Sequence, residues 1–178
     1  MSSTPICLHC TAELVKTEHG TFQCESSHSF DISKEGYLNL LPVNKKKSKE
    51  PGDNELMIAA RREFLEEGNY DPLVASIKEL LTQELRFEKK DFLALDAGCG
   101  EGYYSEHALK KASAKAIVLG TDISKYAVKN AAKKYKNNLY FVSSIYNMPV
   151  ASDSMDVILS VFSPIKPTEF KRILNHKG

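Results

Sequence analysis

Two groups of residues in this sequence have types and spacings that could do chemistry. The first is Cys7-x2-Cys10 followed by Cys24-x3-His28. Thiolates and imidazoles are the ligands of tetrahedral zinc sites, which are built from close pairs joined by a short segment. Glu13 to Phe22, with Gly20 at its turn, reads as a hairpin between the pairs. His9 and His19 compete for the fourth position, and His28 is preferred because it completes a knuckle with Cys24. Four protein ligands leave no open coordination position, so the expected role is structural. A segment this small would draw its folding free energy from the metal. A disulfide is the first rival, disfavoured in a reducing compartment. A redox Cys-x-x-Cys is the second, and no thioredoxin-like pattern surrounds it.

The second group begins in Phe92-Leu93-Ala94-Leu95-Asp96-Ala97 and continues through Gly98, Gly100 and Gly102. A short apolar run ending in an acid, then alternating glycines, then a helical stretch from Tyr103 reads as strand, tight turn and helix. Glycine lets the backbone turn sharply and a ligand approach the main chain. Parallel α/β sheets bind ligands at the carboxyl ends of their strands, so a nucleotide-like ligand is expected at this turn. A second apolar run, Ala116 to Thr121, ends in Asp122, which lies 26 residues after Asp96. An acid there can accept both hydroxyls of a ribose; the plainer reading is a cap for the helix Ser124–Tyr135. Asp96 either touches the ligand or holds the glycine turn. The spacing G-x-G-x-G differs from the dinucleotide G-x-G-x-x-G, and the block resembles motif I of class I S-adenosylmethionine-dependent methyltransferases.

The remaining elements must position these groups. Phe30 to Leu41, with Gly36 at a turn, alternates enough to close the metal module as a strand. Residues 43–53 are polar and lysine-rich and contain Pro51-Gly52, which reads as a basic linker. A helix from Asn54 stops at Gly68-Asn69, and a second starts at Asp71-Pro72. Tyr70 falls between them, near where a ligand cavity would be covered. Leu139 to Val142 is a third strand, followed by Ser143-Ser144, with Ser144 the candidate partner of an adenine amino group. Met148-Pro149 could offer adenine an apolar face. Asp156 to Phe162, apolar at nearly every position, reads as a fourth strand buried on both faces.

At 178 residues, with 24 Lys+Arg against 23 Asp+Glu, the chain has room for a small and a medium domain and carries no charge bias of its own. Lysines do cluster at Lys45 to Lys49 and on the helix carrying Lys125, Lys129, Lys133 and Lys134. Such runs are most often solvated surface; phosphate contact beside the metal module is the sharper reading. No run approaches the about 20 apolar residues of a membrane span, and no secretory signal opens the chain. A cytoplasmic protein with reduced cysteines is expected, and a homodimer stays open.

Three blocks coincide: the Cys–His pairs, Lys34-Glu35-Gly36-Tyr37-x-Asn39-Leu40-Leu41-Pro42, and Asp96-x-Gly98-Cys99-Gly100-Glu101-Gly102-Tyr103-Tyr104. With Pro51-Gly52-Asp53 and Ala60-Arg61-Arg62-x-Phe64-Leu65 between them, the chain resembles the bacterial 23S ribosomal RNA guanine-N1 methyltransferases. The resemblance implies an α/β fold: a Rossmann-like class I methyltransferase sheet, here strands one to four of an incomplete domain, preceded by a small zinc-ribbon-like module. It implies zinc on Cys7, Cys10, Cys24 and His28. It also implies S-adenosylmethionine contacts from Tyr70, Gly100 and Glu101, with Asp122 following the general class pattern. Asp96, Gly98, Gly102 and Ser144, read from the glycine turn and the strand ends, complete the candidate cofactor set; where the wider class often has an acid after strand three, this chain has Ser144. The expected division is 1–42 as an RNA-recognition module, 43–53 as linker and 54–178 as the methyltransferase part. The partner is a 23S rRNA hairpin loop. No catalytic base is identifiable. The alternatives are a catalytically inactive fragment that retains zinc and RNA binding, and a small-molecule methyltransferase.

Overall fold

The computed structural model describes residues 5–42, 51–84, 92–111, 113 and 116–176. The lysine run of the expected linker therefore lies outside the described residues.

The first element group is a three-stranded antiparallel sheet of β1 (Val15–Lys16), β2 (Thr21–Gln23) and β3 (Ser29–Asp31). Its hairpin turns at Gly20, whose amide donates to the Thr17 carbonyl. The second is a five-stranded sheet in the order β4 (Tyr37–Asn39), β7 (Leu139–Val142), β6 (Ala116–Asp122), β5 (Phe92–Ala97), β8 (Val157–Leu159). Every pairing within it is parallel. The four strands expected from the apolar runs are thus present, with β5 and β6 at the centre.

Two strand expectations are corrected. The segment 30–41 does not close the metal module as one strand. Only β3 does so; after the turn at Gly36 the chain enters β4, which pairs with β7 of the large sheet. Tyr37 and Leu38 are both buried there: Tyr37 packs with Tyr140 and Val142 of β7, and Leu38 lies in the core the large sheet shares with the module. The fourth strand is not buried on both faces: β8 is half-buried along its length and, among the described residues, pairs only with β5. Apolar composition sets a preference for burial, but neighbours decide how much is covered.

Alternation along the strands sends side chains to two different layers. Leu93, Leu95, Ala97, Leu119 and Phe141 face a core shared with Cys7, Leu14, Phe22 and Cys24 of the zinc-ribbon-like module and with Ile173 of α4 (Pro167–Ile173). Opposite, Ala94, Ala116 and Val118 pack against Leu81 of α2 (Asp71–Glu84) and Leu109 of a π-helical segment, Ser105–Lys110. Tyr140 and Val142 pack against Val128, Ala131 and Ala132 of α3 (Lys125–Lys134). The module is therefore one covering layer of the sheet. The Ile6 amide also donates to the Pro149 carbonyl at 3.0 Å.

Helix boundaries follow local chemistry. The Asn54 side chain accepts the Met57 amide and starts α1 (Glu55–Glu66), and Ser124 does the same for α3 through Ala127. Buried Asp96 accepts a hydrogen bond from the Ser105 hydroxyl at 2.6 Å, tying β5 to the π-helical segment.

The turn after β5 needs glycine for two reasons at Gly98. Its φ is +83°, and a Cβ there would lie 2.3 Å from Ser163 Cβ. Gly98→Ala is therefore expected to destabilise the fold by about 2 kcal/mol or more, read as a lowered unfolding midpoint; an unchanged midpoint would show that the β8 end yields freely.

Candidate metal centre and cofactor cavity

Cys7, Cys10, Cys24 and His28 place one ligand atom each within 4.8 Å of one another. Cys10 Sγ lies 3.6 Å from Cys24 Sγ, and His28 Nδ1 lies 3.4 Å from Cys24 Sγ and 3.6 Å from Cys7 Sγ. A tetrahedral ion with Zn–S of about 2.3 Å requires ligand separations of about 3.8 Å. The donor set and its spacing fit zinc. Each knuckle closes through a residue in the left-handed region, Thr11 at φ 63° and Ser27 at φ 63°. Their amides donate to the Cys7 and Cys24 carbonyls. The Cys10 thiol is held down at about 6, chiefly by the Ala12 amide, which favours the thiolate a metal needs. His19 is exposed and away from the cluster. His9 lies against His28, with ring centroids 5.0 Å apart, and stacks on Phe30. It buttresses the ligand.

A cavity of about 540 Å³ opens at the carboxyl ends of β7, β6, β5 and β8. Of the eight expected cofactor residues, Tyr70, Gly98, Gly100, Glu101, Asp122 and Ser144 line it. Asp96 and Gly102 do not. Asp96 is buried behind the turn on Ser105. A Cβ on Gly102 would lie 2.5 Å from the Tyr140 hydroxyl, so that glycine serves close packing. Asp122 uses both oxygens locally: one accepts the Gly100 amide at 3.0 Å, the other the Ser124 amide at 2.8 Å. Glu101 receives the Arg62 guanidinium, whose Nε lies 3.1 and 3.0 Å from its two oxygens. Met148 is fully buried in the module-side core, so it offers no face to the cavity; Ile145 and Tyr146 form that wall.

Other lining residues escaped the sequence reading. Gly52 and Asp53, assigned to the linker, line the cavity, with the Asp53 carbonyl accepting from the Ser124 hydroxyl at 2.7 Å. Asp53 also pairs with Arg61 at 2.6 Å. A rim of aromatic rings comprises Phe64, Tyr70 and Phe162, packed edge to face at centroid distances of 5.7 and 5.4 Å. The run Pro51-Gly52-Asp53 and the spacing of Arg61 and Phe64 were visible signals; their convergence was not. Cys99 also lines the cavity, but burial drives its thiol pKa well up, so it is no nucleophile.

This sheet order, glycine turn and strand-end cavity define the class I S-adenosylmethionine-dependent methyltransferase fold, carried here behind a zinc ribbon. The family model described as RlmA, N-terminal, matches residues 5–49, and the model for a methyltransferase domain matches residues 95–165. A 23S rRNA (guanine(748)-N(1))-methyltransferase of Streptomyces fradiae is 31% identical over 174 residues, covering 97% of this chain and 60% of that protein. A Bacillus subtilis protein, a candidate 23S rRNA (guanine-N(1)-)-methyltransferase, is 35% identical over 156 residues, covering 86% of this chain and 54% of that protein. The chain thus spans little more than half the length of these relatives. A structure from Methanococcus maripaludis, a candidate S-adenosylmethionine-dependent methyltransferase, superposes with a TM-score of 0.58 at 22% identity, over 73% of this chain and 64% of its own. It supports the fold alone. The chain is a zinc-ribbon and methyltransferase-domain protein homologous to the 23S rRNA guanine-N1 methyltransferases. S-adenosylmethionine is the cofactor of that domain class. Among the described residues no helix is long and apolar enough to cross a membrane.

Two outcomes follow. Cys24→Ser removes one of the four candidate ligands and is expected to abolish stoichiometric zinc and unfold the module, measured by metal analysis and by amide exchange of residues 5–31; full zinc content would assign the ligands elsewhere. Burial pushes the Asp96 carboxyl up to about 7, above its unfolded value. The folded state therefore holds that proton more tightly, and the associated stability is present at low pH and lost as pH rises through about 7. Asp96→Asn is expected to flatten this loss in unfolding midpoints taken from pH 5 to 8, and parallel curves for both proteins would contradict it.

Proposed function

We propose that this chain supplies cofactor binding and RNA recognition for S-adenosylmethionine-dependent methylation of guanine N1 in a hairpin loop of 23S rRNA. The observation that carries this is the zinc ribbon packed on the same sheet whose strand ends form the cofactor cavity, in a chain homologous to enzymes named for that reaction. Functionally, residues 1–42 recognise RNA and 54–178 bind the cofactor, with β4 reaching across to the sheet.

In this reading the ribose hydroxyls meet Asp122, the adenine amino group meets Ser144, and the backbone at Gly98 and Gly100 lets the cofactor lie close to the turn. Tyr70 covers the cavity, and Glu101, held by Arg62, fixes the loop's charge. The bound cofactor supplies a sulfonium methyl group. The protein's part is to hold guanine N1 in line with it and to exclude water. A looped-out base presents a face that aromatic rings can stack on, and the rim of Phe64, Tyr70 and Phe162 is such a surface. Guanine N1 carries a proton at neutral pH, which a base must take or weaken. Each carboxylate among the described lining residues is engaged: Asp53 with Arg61, Glu101 with Arg62, Asp122 with two amides. The described residues therefore contribute positioning. The exposed lysines of α3 give RNA contact a salt-dependent electrostatic component.

The test incubates the full chain, zinc-loaded, with methyl-labelled S-adenosylmethionine and a 23S rRNA hairpin transcript. Label at guanine N1, absent from a hairpin already methylated there, is the expected result. Salt-sensitive RNA binding without transfer would restrict the chain to recognition. Transfer to free nucleosides but not to RNA would replace the proposal with small-molecule methylation.

A further inference from the structure

One residue lining the cavity carries a buried polar group with no role so far. Tyr104 lines it, is only 8% exposed, and its hydroxyl has no hydrogen-bond partner among the described residues. Its ring is packed among Val74, Ala108, Leu73, Ile77, Leu159 and Val161, which places it between α2 and the end of β8. A buried, unpartnered hydroxyl costs folding free energy, and such groups call for an explanation.

The order of strand ends supplies one. The cavity runs from Ser144 after β7, past Asp122 at the end of β6 and the turn after β5, to Val161–Pro164 after β8. With adenine at Ser144 and ribose at Asp122, the rest of the cofactor extends over the glycine turn toward β8. That end carries an amino acid carboxylate, which needs hydrogen-bond donors. Three donors nearby are occupied: Tyr103 on Asp71 at 2.9 Å, Ser163 on the Ala97 carbonyl at 2.5 Å, and Arg61 on Asp53. Tyr104 is a buried lining donor with no partner among the described residues. Burial pushes its phenol up to about 12, so it keeps its proton.

We infer that the Tyr104 hydroxyl is the hydrogen-bond donor to the carboxylate at the methionine end of S-adenosylmethionine. Tyr104 is thus a further cofactor-positioning residue. It sets where the sulfonium methyl lies relative to the aromatic rim. The inference rests on the cofactor reading of the cavity proposed above.

Two ligands separate it from a packing role. S-adenosylhomocysteine carries the amino acid end, and 5′-methylthioadenosine shares the nucleoside but lacks the carboxylate. The full chain and Tyr104→Phe are titrated calorimetrically with each. The expected result is about 10-fold or more weaker binding of S-adenosylhomocysteine by the variant, with 5′-methylthioadenosine bound equally by both proteins. Equal loss on the two ligands, or loss on neither, overturns the inference while leaving the cofactor reading intact. A wild-type chain that binds neither ligand overturns both. The unfolding midpoint without ligand gives a second readout: Tyr104→Phe should leave it unchanged or raise it, because an unpartnered group is removed. A lowered midpoint would mean the hydroxyl has a structural partner, and the assignment would fall.

Discussion

The bond from the Gly100 amide to the Asp122 carboxylate joins the ends of the two central strands, and the cavity depends on it. Without a restraint, a turn containing Gly98, Gly100 and Gly102 in left-handed conformations would sample many shapes, since glycine has the most backbone freedom to lose. Asp122 takes one amide from that turn and one from the start of α3. A single side chain thereby sets the distance between the glycine turn and the next helix. Burial raises its carboxyl pKa while those two amides pull it down. A ligand hydroxyl arriving there meets an acceptor already oriented by the backbone. This is preorganisation, in which the ordering cost is met during folding rather than during binding.

The zinc ribbon is coupled to this cavity through packing. Cys7 and Cys24 belong to the same buried cluster as Leu95, Leu119 and Phe141 of the sheet. Ligand residues and sheet residues thus share one interior, and metal binding contributes to a core larger than the module. α4 secures the same layer from the other side. Glu169 accepts the Met148 amide at 2.8 Å and pairs with Arg172, whose guanidinium also donates to the Val150 carbonyl. The loop after β7, which carries Ser144 and Ile145 to the cavity, is therefore clamped between module and helix.

Much of this was legible in the sequence where chemistry is local. The Cys–His spacing picked out four side chains that the fold brings together, and apolar runs ending in Asp96 and Asp122 located β5 and β6. Local signals failed where a residue's partner is distant. Tyr37–Asn39 looked like the close of a hairpin because strand patterning does not name the neighbouring strand. Gly52 and Asp53 looked like linker because glycine and acid are what loops contain; their contact with Ser124 spans about 70 residues of chain. Met148 looked like a cavity wall because it follows β7, yet its flexible apolar side chain went to the core. The resemblance to a family named the domain and left these placements open.

Three unfavourable local features lie close together around the cavity. Phe162 holds a left-handed backbone with φ 54° and an exposed ring, Asp96 is a buried acid, and Tyr104 buries an unpartnered hydroxyl. Each costs stability by a different route: backbone sterics, desolvation, and a missing hydrogen bond. All three lie at or beneath the carboxyl ends of β5 and β8. Their joint placement at the cavity is what a ligand-bound state would repay, the buried hydroxyl by a carboxylate and the exposed ring by a stacked base.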